Sequence, residues 1–94
     1  HFQKDDGFES RGDLALSFLK GVSIISKIDP VLIANRSSIT EFVRLVGERN
    51  DAYKKHTLFT DWRKIVCGEK LYKLLNGIGS LVVDKDSGLP IYHE

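Results

Sequence analysis

The sequence predicts a mainly α fold, a small bundle of four to five helices followed by a short C-terminal β-hairpin. Three observations predict it. Apolar residues recur at helical spacing in several stretches, each bounded by a start or stop signal. Residues 59–77, FTDWRKIVCGEKLYKLLNG, join a Trp-Arg pair, an apolar run interrupted by glycine, and a glycine stop. Leu81-Val82-Val83 and Leu89-Pro90-Ile91-Tyr92 flank a turn-rich segment, residues 84–88, which is the pattern of a hairpin. A chain of 94 residues supports one domain with a modest core, burying roughly 60–65% of the surface its unfolded form exposes. The expected division is a flexible linker over 1–12, a helical domain over 13–77 and a hairpin extension over 78–94.

Residues 1–12 mix Lys4, Asp5, Asp6 and Glu9 with Gly7 and Gly12 and show no periodicity, hence the linker. Ser10 and Asp13 form a variant capping box, and Leu14, Leu16, Phe18, Leu19, Val22 and Ile25 follow at near-helical spacing, predicting a first helix over 13–27. Asp29-Pro30 places an N-cap before a proline at the first helical position, where the missing N–H costs nothing; a short helix over 30–35 follows. Ser38 and Glu41 match a capping box ahead of Ile39, Phe42, Val43, Leu45 and Val46, predicting a third helix over 39–47 that closes at Gly47. Residues 48–56 read as an exposed connection. The fourth helical region begins near Thr60; Trp62, Ile65 and Val66 mark one apolar face and Leu71, Leu74 and Leu75 another, out of phase by one residue. A kink or break at Gly68 is therefore expected, with Trp62 in the core and Gly77 as a left-handed C-terminal cap. Two strands alone are marginal in water, so the hairpin must lean on the helices.

Composition excludes several function classes. No apolar run approaches the ~20 residues a membrane span needs, and residues 1–10 are unlike a signal peptide, so no membrane partner is expected. Cys67 is the only cysteine, which rules out an internal disulfide and zinc sites built on paired cysteines. In its apolar setting it reads as a packed, inert thiol, and an intracellular, cytoplasmic location fits. With no methionine anywhere, the chain is expected to be a piece of a longer protein. His1, His56 and His93 have no ligand set around them, the Asp84 loop lacks the register of a calcium loop, and no Ser-His-Asp frame is present, so neither catalytic residues nor a metal or cofactor site is expected.

Net charge is only +1, yet the charges are unevenly placed. Residues 54–73 carry Lys54, Lys55, Arg63, Lys64, Lys70 and Lys73 against Asp61 and Glu69 alone. Such a segment can present a local patch to phosphates, which anchor a polyanion without reading its sequence. Arg63, pointing away from the face Trp62 buries, is placed to reach a phosphate bidentately. Arg36 and Arg44 are weaker candidates for the same surface. Tyr53 and Tyr72 stand among these cations and read first as half-buried tyrosines, second as stacking surfaces. A solvated helix face is the competing reading of the same charges.

From Leu14 to about Ile91 the order of features resembles the C-terminal helical region of ribonuclease D-type exoribonucleases, which is built from HRDC-like domains. Phe18-Leu19-Lys20 with residues 28–36, IDPVLIANR, is similar to the family's apolar helix, short proline turn and basic residue. Residues 58–63, LFTDWR, followed by Val66-Cys67-Gly68, are similar to its L-L-x-G-W-R-x-x-L-V-G element, and Leu74-Leu75-Asn76-Gly77 to its L-L-x-G stop. One departure is Asp61, where the family pattern often has glycine. The resemblance implies a non-catalytic accessory domain that positions RNA, or single-stranded nucleic acid, for an attached 3'-5' exoribonuclease, the parent nuclease domain being its partner. Two alternatives stand beside it: a protein-interaction or structural domain docking on a parent catalytic domain, and a DNA-binding accessory domain of a RecQ-type helicase.

Overall fold

The computed structural model describes residues 4–94, with side chains from Asp6 onward. Helix α1 spans Lys4–Ser26, α2 Pro30–Ile33 and α3 Arg36–Gly47; two 3-10 turns, Asp51–Lys55 and Thr57–Phe59, lead into α4. Helix α4 covers 61–75 and is composite: a first turn Asp61–Arg63, a π-helical segment Lys64–Gly68 and an α-helical run Glu69–Leu75. Strands β1 (Ser80–Val83) and β2 (Pro90–His93) form an antiparallel hairpin with Leu81 opposite Tyr92 and Val82 opposite Ile91. The mainly helical fold and the terminal hairpin are as the sequence predicts.

The core gathers Ala15, Phe18 and Leu19 from α1, Ile33 from α2, Ile39, Phe42, Val43 and Val46 from α3, Leu58 from the second 3-10 turn, and Cys67, Leu71 and Leu74 from α4. The expected linker is a correction. Residues 4–12 are helical, continuous with the rest of α1, because Phe8 packs against the core and the Arg11 guanidinium lies over Gly47 at the end of α3. Residues 1–3 of that linker lie outside the described residues. Ser10 and Asp13 are therefore interior to a helix and cap nothing.

Local chemistry accounts for the other boundaries. Asp29 caps α2 by accepting the Val31 N–H at 3.0 Å, with Pro30 at the first position as expected. Helix α3 begins three residues earlier than the Ser38 box suggests, because Asn35 is the cap and accepts the Ser38 N–H at 2.7 Å. Helix α3 does end at Gly47, and beyond it Arg49 takes the left-handed turn at φ 56°, letting the Asn50 N–H reach Leu45 O. At the end of α4, Gly77 has φ 72°, and Ile78 and Gly77 donate to Lys73 O and Leu74 O, a Schellman motif.

The one-residue phase slip in α4 is absorbed without a break. The Glu69 N–H donates to Lys64 O, five residues back, so one extra residue is accommodated in a single wide turn. That turn brings Cys67 and Gly68 inward together with Leu71 and Leu74. Asp61 enters the helix with φ 52°, the left-handed conformation a glycine adopts freely and Asp tolerates better than most residues.

The hairpin leans on the helices through β2. Tyr92 meets Phe18 edge-on at 6.5 Å, and Pro90 rests against Gly21 of α1, where an added Cβ would lie 2.9 Å from Pro90 O. Its turn is held by the Asp84 carboxylate, which accepts the Ser87 N–H at 3.0 Å, and by Gly88 at φ 73°.

Candidate nucleic-acid interface

The cations singled out from sequence fall into five settings. Lys54 and Lys55 stand exposed on the 3-10 turn Asp51–Lys55, which Asn50 caps by accepting the Ala52 N–H. Lys64, first residue of the π segment, holds its Nζ 4.8 Å over the Phe59 ring. Phe59 in turn meets Tyr53 at 5.2 Å and Tyr72 at 5.8 Å, and Tyr53 stacks on Tyr72 at 4.7 Å with the rings 15° apart. This aromatic ladder links Lys64 to the turn that carries Lys54 and Lys55. Among the described residues none of these three lysines has a carboxylate within ion-pair distance. Both tyrosines are half-buried, and the side-chain hydrogen bond with Tyr72, then burial, push the Tyr53 phenol up to about 12.

Arg63 has a different task from the one expected. Its Nε donates to Leu32 O at 3.0 Å and Ile33 O at 3.2 Å, and its Nη2 to Leu32 O at 2.9 Å, so the guanidinium satisfies carbonyls at the C-terminal end of α2. It also lies 4.4 Å from the Trp62 ring. Trp62 is a second correction: it is 39% exposed, outside the core, and Ile65 on the same face is 79% exposed. The wide π turn and the left-handed entry at Asp61 rotate that face outward while Cys67, Leu71 and Leu74 turn in.

The remaining cations are held elsewhere. Lys70 has its Nζ 5.8 Å from the Tyr92 ring, and Lys73 bonds Glu94 at 2.9 Å, so both face β2. The Glu94 carboxylate holds the Lys73 ammonium above its ordinary value and is itself held below the carboxylate range by the same contact. Arg44 pairs with Glu48 at 3.1 Å and shares a shallow depression on α3 with Arg36. A run of positive charge along the sequence is thus divided among separate neighbours in space.

One feature had no clear sequence signal. Phe18, Val22 and Ile25 of α1, Ile65 of α4, and Ile91 and Tyr92 of β2 line an apolar groove of about 400 Å³ with Lys70 at its side. The only hint was the phase conflict in α4, which leaves Ile65 79% exposed.

His56, between the two 3-10 turns, is buried against Phe42 at 5.3 Å. Its Nδ1 accepts the Leu58 N–H at 3.0 Å, while Nε2 lies 3.5 Å from Ser38 Oγ and 3.6 Å from Glu41 Oε1. The neutral ring with its proton on Nε2 satisfies this arrangement; a second proton would place a donor against the Leu58 donor. Burial pushes its pKa below the ordinary 6.5, with Glu41 opposing. The unfolded chain therefore binds the proton more readily, so the contribution of neutral His56 is present above 6.5 and lost as pH falls through the lower folded value. Melting temperature is expected to hold steady above neutrality and to decline below it, and His56→Gln should flatten that slope. Parallel pH profiles for the two proteins over about pH 8 to 5.5 would contradict this.

Cys67 is 1% exposed, and burial pushes its thiol up to about 12. Among the described residues no group of three or more His, Cys, Asp or Glu side chains is placed to hold a metal ion, and no helix is long and apolar enough to cross a membrane. Compared with protein-family models, curated proteins and solved structures, the chain matches none of them.

Proposed function

We propose that the chain is a non-catalytic accessory module that holds single-stranded RNA for an attached 3'-5' exoribonuclease, with Lys54, Lys55 and Lys64 as its phosphate contacts. One observation carries the reading: three lysines free of ion pairs among the described residues, joined by the ladder of Phe59, Tyr72 and Tyr53. Phosphates supply affinity without sequence information, and half-exposed aromatic rings beside them offer faces for bases. The resemblance to the helical region of ribonuclease D-type enzymes supplies the attached activity. Arg63 is outside the proposed set because its guanidinium is committed to α2.

Titration with a short RNA tests it. Three neutralised phosphates give a slope of log affinity against log salt of about −2 on a single strand. Replacing Lys54, Lys55 and Lys64 together by alanine should weaken binding and flatten that slope while leaving the melting temperature within about 1 kcal/mol equivalent of wild type. A salt-independent affinity, or an unchanged slope in the triple variant, would remove these lysines from the function. The apolar groove favours the second reading, docking against a partner protein domain, and that reading would then stand in its place.

A further inference from the structure

The two sides of the hairpin differ. In the antiparallel ladder the Asp84 N–H donates to Leu89 O at 2.9 Å, while the Leu89 N–H goes to Ser87 Oγ; this bond sets the alternation, so Val82–Ile91 and Ser80–His93 are the hydrogen-bonded pairs and Val83–Pro90 and Leu81–Tyr92 are not. Leu81 and Val83 therefore turn their N–H and C=O groups away from β2. Among the described residues no hydrogen-bond partner meets them. The outer side of β2 is closed: Pro90 has no N–H to offer, and its carbonyl lies against Gly21 of α1. Nothing comparable protects β1. Natural sheets blunt an open edge with proline, charge or a covering element, whereas β1 presents Val82 at 50% and Val83 at 68% exposure.

We propose that β1 is a self-pairing edge, joining two copies of this chain antiparallel about a two-fold axis that passes beside Val82. One register uses every free group: Leu81 of one copy exchanges both hydrogen bonds with Val83 of the other, and Val83 with Leu81. Val82 then faces its own symmetry mate in a non-hydrogen-bonded pair, where side chains approach most closely. Ile91, opposite Val82 on the same face and 39% exposed, extends this into an apolar row running Ile91, Val82, Val82, Ile91 across the joined sheet. Asp84 falls opposite Ser80 of the other copy and Lys85 opposite Gly79, so no like charges meet. Sliding the register by two residues in one direction would set Asp84 against Val82 and leave outward groups unpaired. The strand is thus complementary to itself, which is what selects a second copy as the occupant.

Four residues per chain make a small contact, in the class below about 1,200 Å² that associates weakly. Sedimentation of the 94-residue chain is expected to show monomer near 10 µM and a rising dimer fraction toward about 1 mM. Val83→Pro deletes an N–H that faces only the second copy, so far-UV circular dichroism should be unchanged and dimer should be lost. Val82→Cys should form a disulfide-linked dimer under mild oxidation, because like residues meet on the axis. Ser80→Cys, which would face Asp84, should not, and buried Cys67 stays out of the exchange. If Val83→Pro fails to fold, the contrast between the two cysteine variants decides. Monomer throughout the concentration range would overturn the proposal. So would a dimer that survives Val83→Pro, or equal cross-linking at positions 80 and 82.

Discussion

Gly68→Ala is expected to lose at least about 3 kcal/mol of stability, the upper end of overpacking costs, and to lower the melting temperature by about 12–24 °C for a chain of this size. The reason is steric. Gly68 has ordinary helical dihedrals, φ −59° and ψ −42°, so conformational freedom is not at issue. A Cβ built there would lie 1.7 Å from Leu58 O and 2.7 Å from Leu58 C. Those atoms are backbone, in a turn held by the His56 cap, and cannot swing aside as a long side chain would. Either α4 moves off the 3-10 turn, opening the core around Cys67, Leu58 and Leu71, or the turn itself unravels. Gly12→Ala is the matched control: nothing lies within 4 Å of its Cβ position in the middle of α1, so better helix propensity should make it neutral or stabilising by up to ~1 kcal/mol. Thermal melts of both variants check the pair. Equal melting temperatures would mean that the close approach of α4 to Leu58 is wrong.

Phe42→Ala should be comparably severe, at about 3–5 kcal/mol out of a total expected near 5–14 kcal/mol for a chain of this length. Phe42 is fully buried and touches three other rings: Tyr53 at 6.4 Å, His56 at 5.3 Å and Phe59 at 6.2 Å. Removing it leaves a cavity between α3 and both 3-10 turns, the segment with the least regular hydrogen bonding. Urea unfolding should show a lower midpoint, and Phe42→Leu should recover part of the loss by refilling the space. Because Phe59 carries Lys64 and meets Tyr53, the same variant should also weaken the proposed RNA contact. A loss below 1 kcal/mol would show that the turns are supported from elsewhere.

The parts of this fold legible in the sequence are those set by chemistry within a few residues. The Asp29-Pro30 start, the Gly77 stop and the Asp84–Gly88 turn each rest on local hydrogen bonds and dihedrals. What was not legible depends on partners far along the chain. Gly7 and Gly12 suggest a linker until Phe8 finds the core and Arg11 finds Gly47. Helical periodicity assigns Trp62 inward because it counts 3.6 residues per turn through a segment that takes a wider one. The phase slip was visible, but a break and a π turn produce the same slip, and only the Gly68 approach to Leu58 distinguishes them. For the site, clustering of charge along the sequence was a poor guide to clustering in space. Arg63 and Lys64 are adjacent, yet one is drawn to carbonyls of α2 and the other to Phe59. The ladder and the groove depend on residues from distant segments, which no local pattern announces.

Pro90 and Gly21 also decide how far association can go. A ribbon that accepts a neighbour on one side alone terminates after a single addition, since each newcomer arrives with its other flank already sealed by its own first helix. Crowding such molecules produces pairs and stops. Unsealing that flank, by replacing the proline and enlarging the glycine until the helix lifts away, would turn a finite assembly into an open-ended filament.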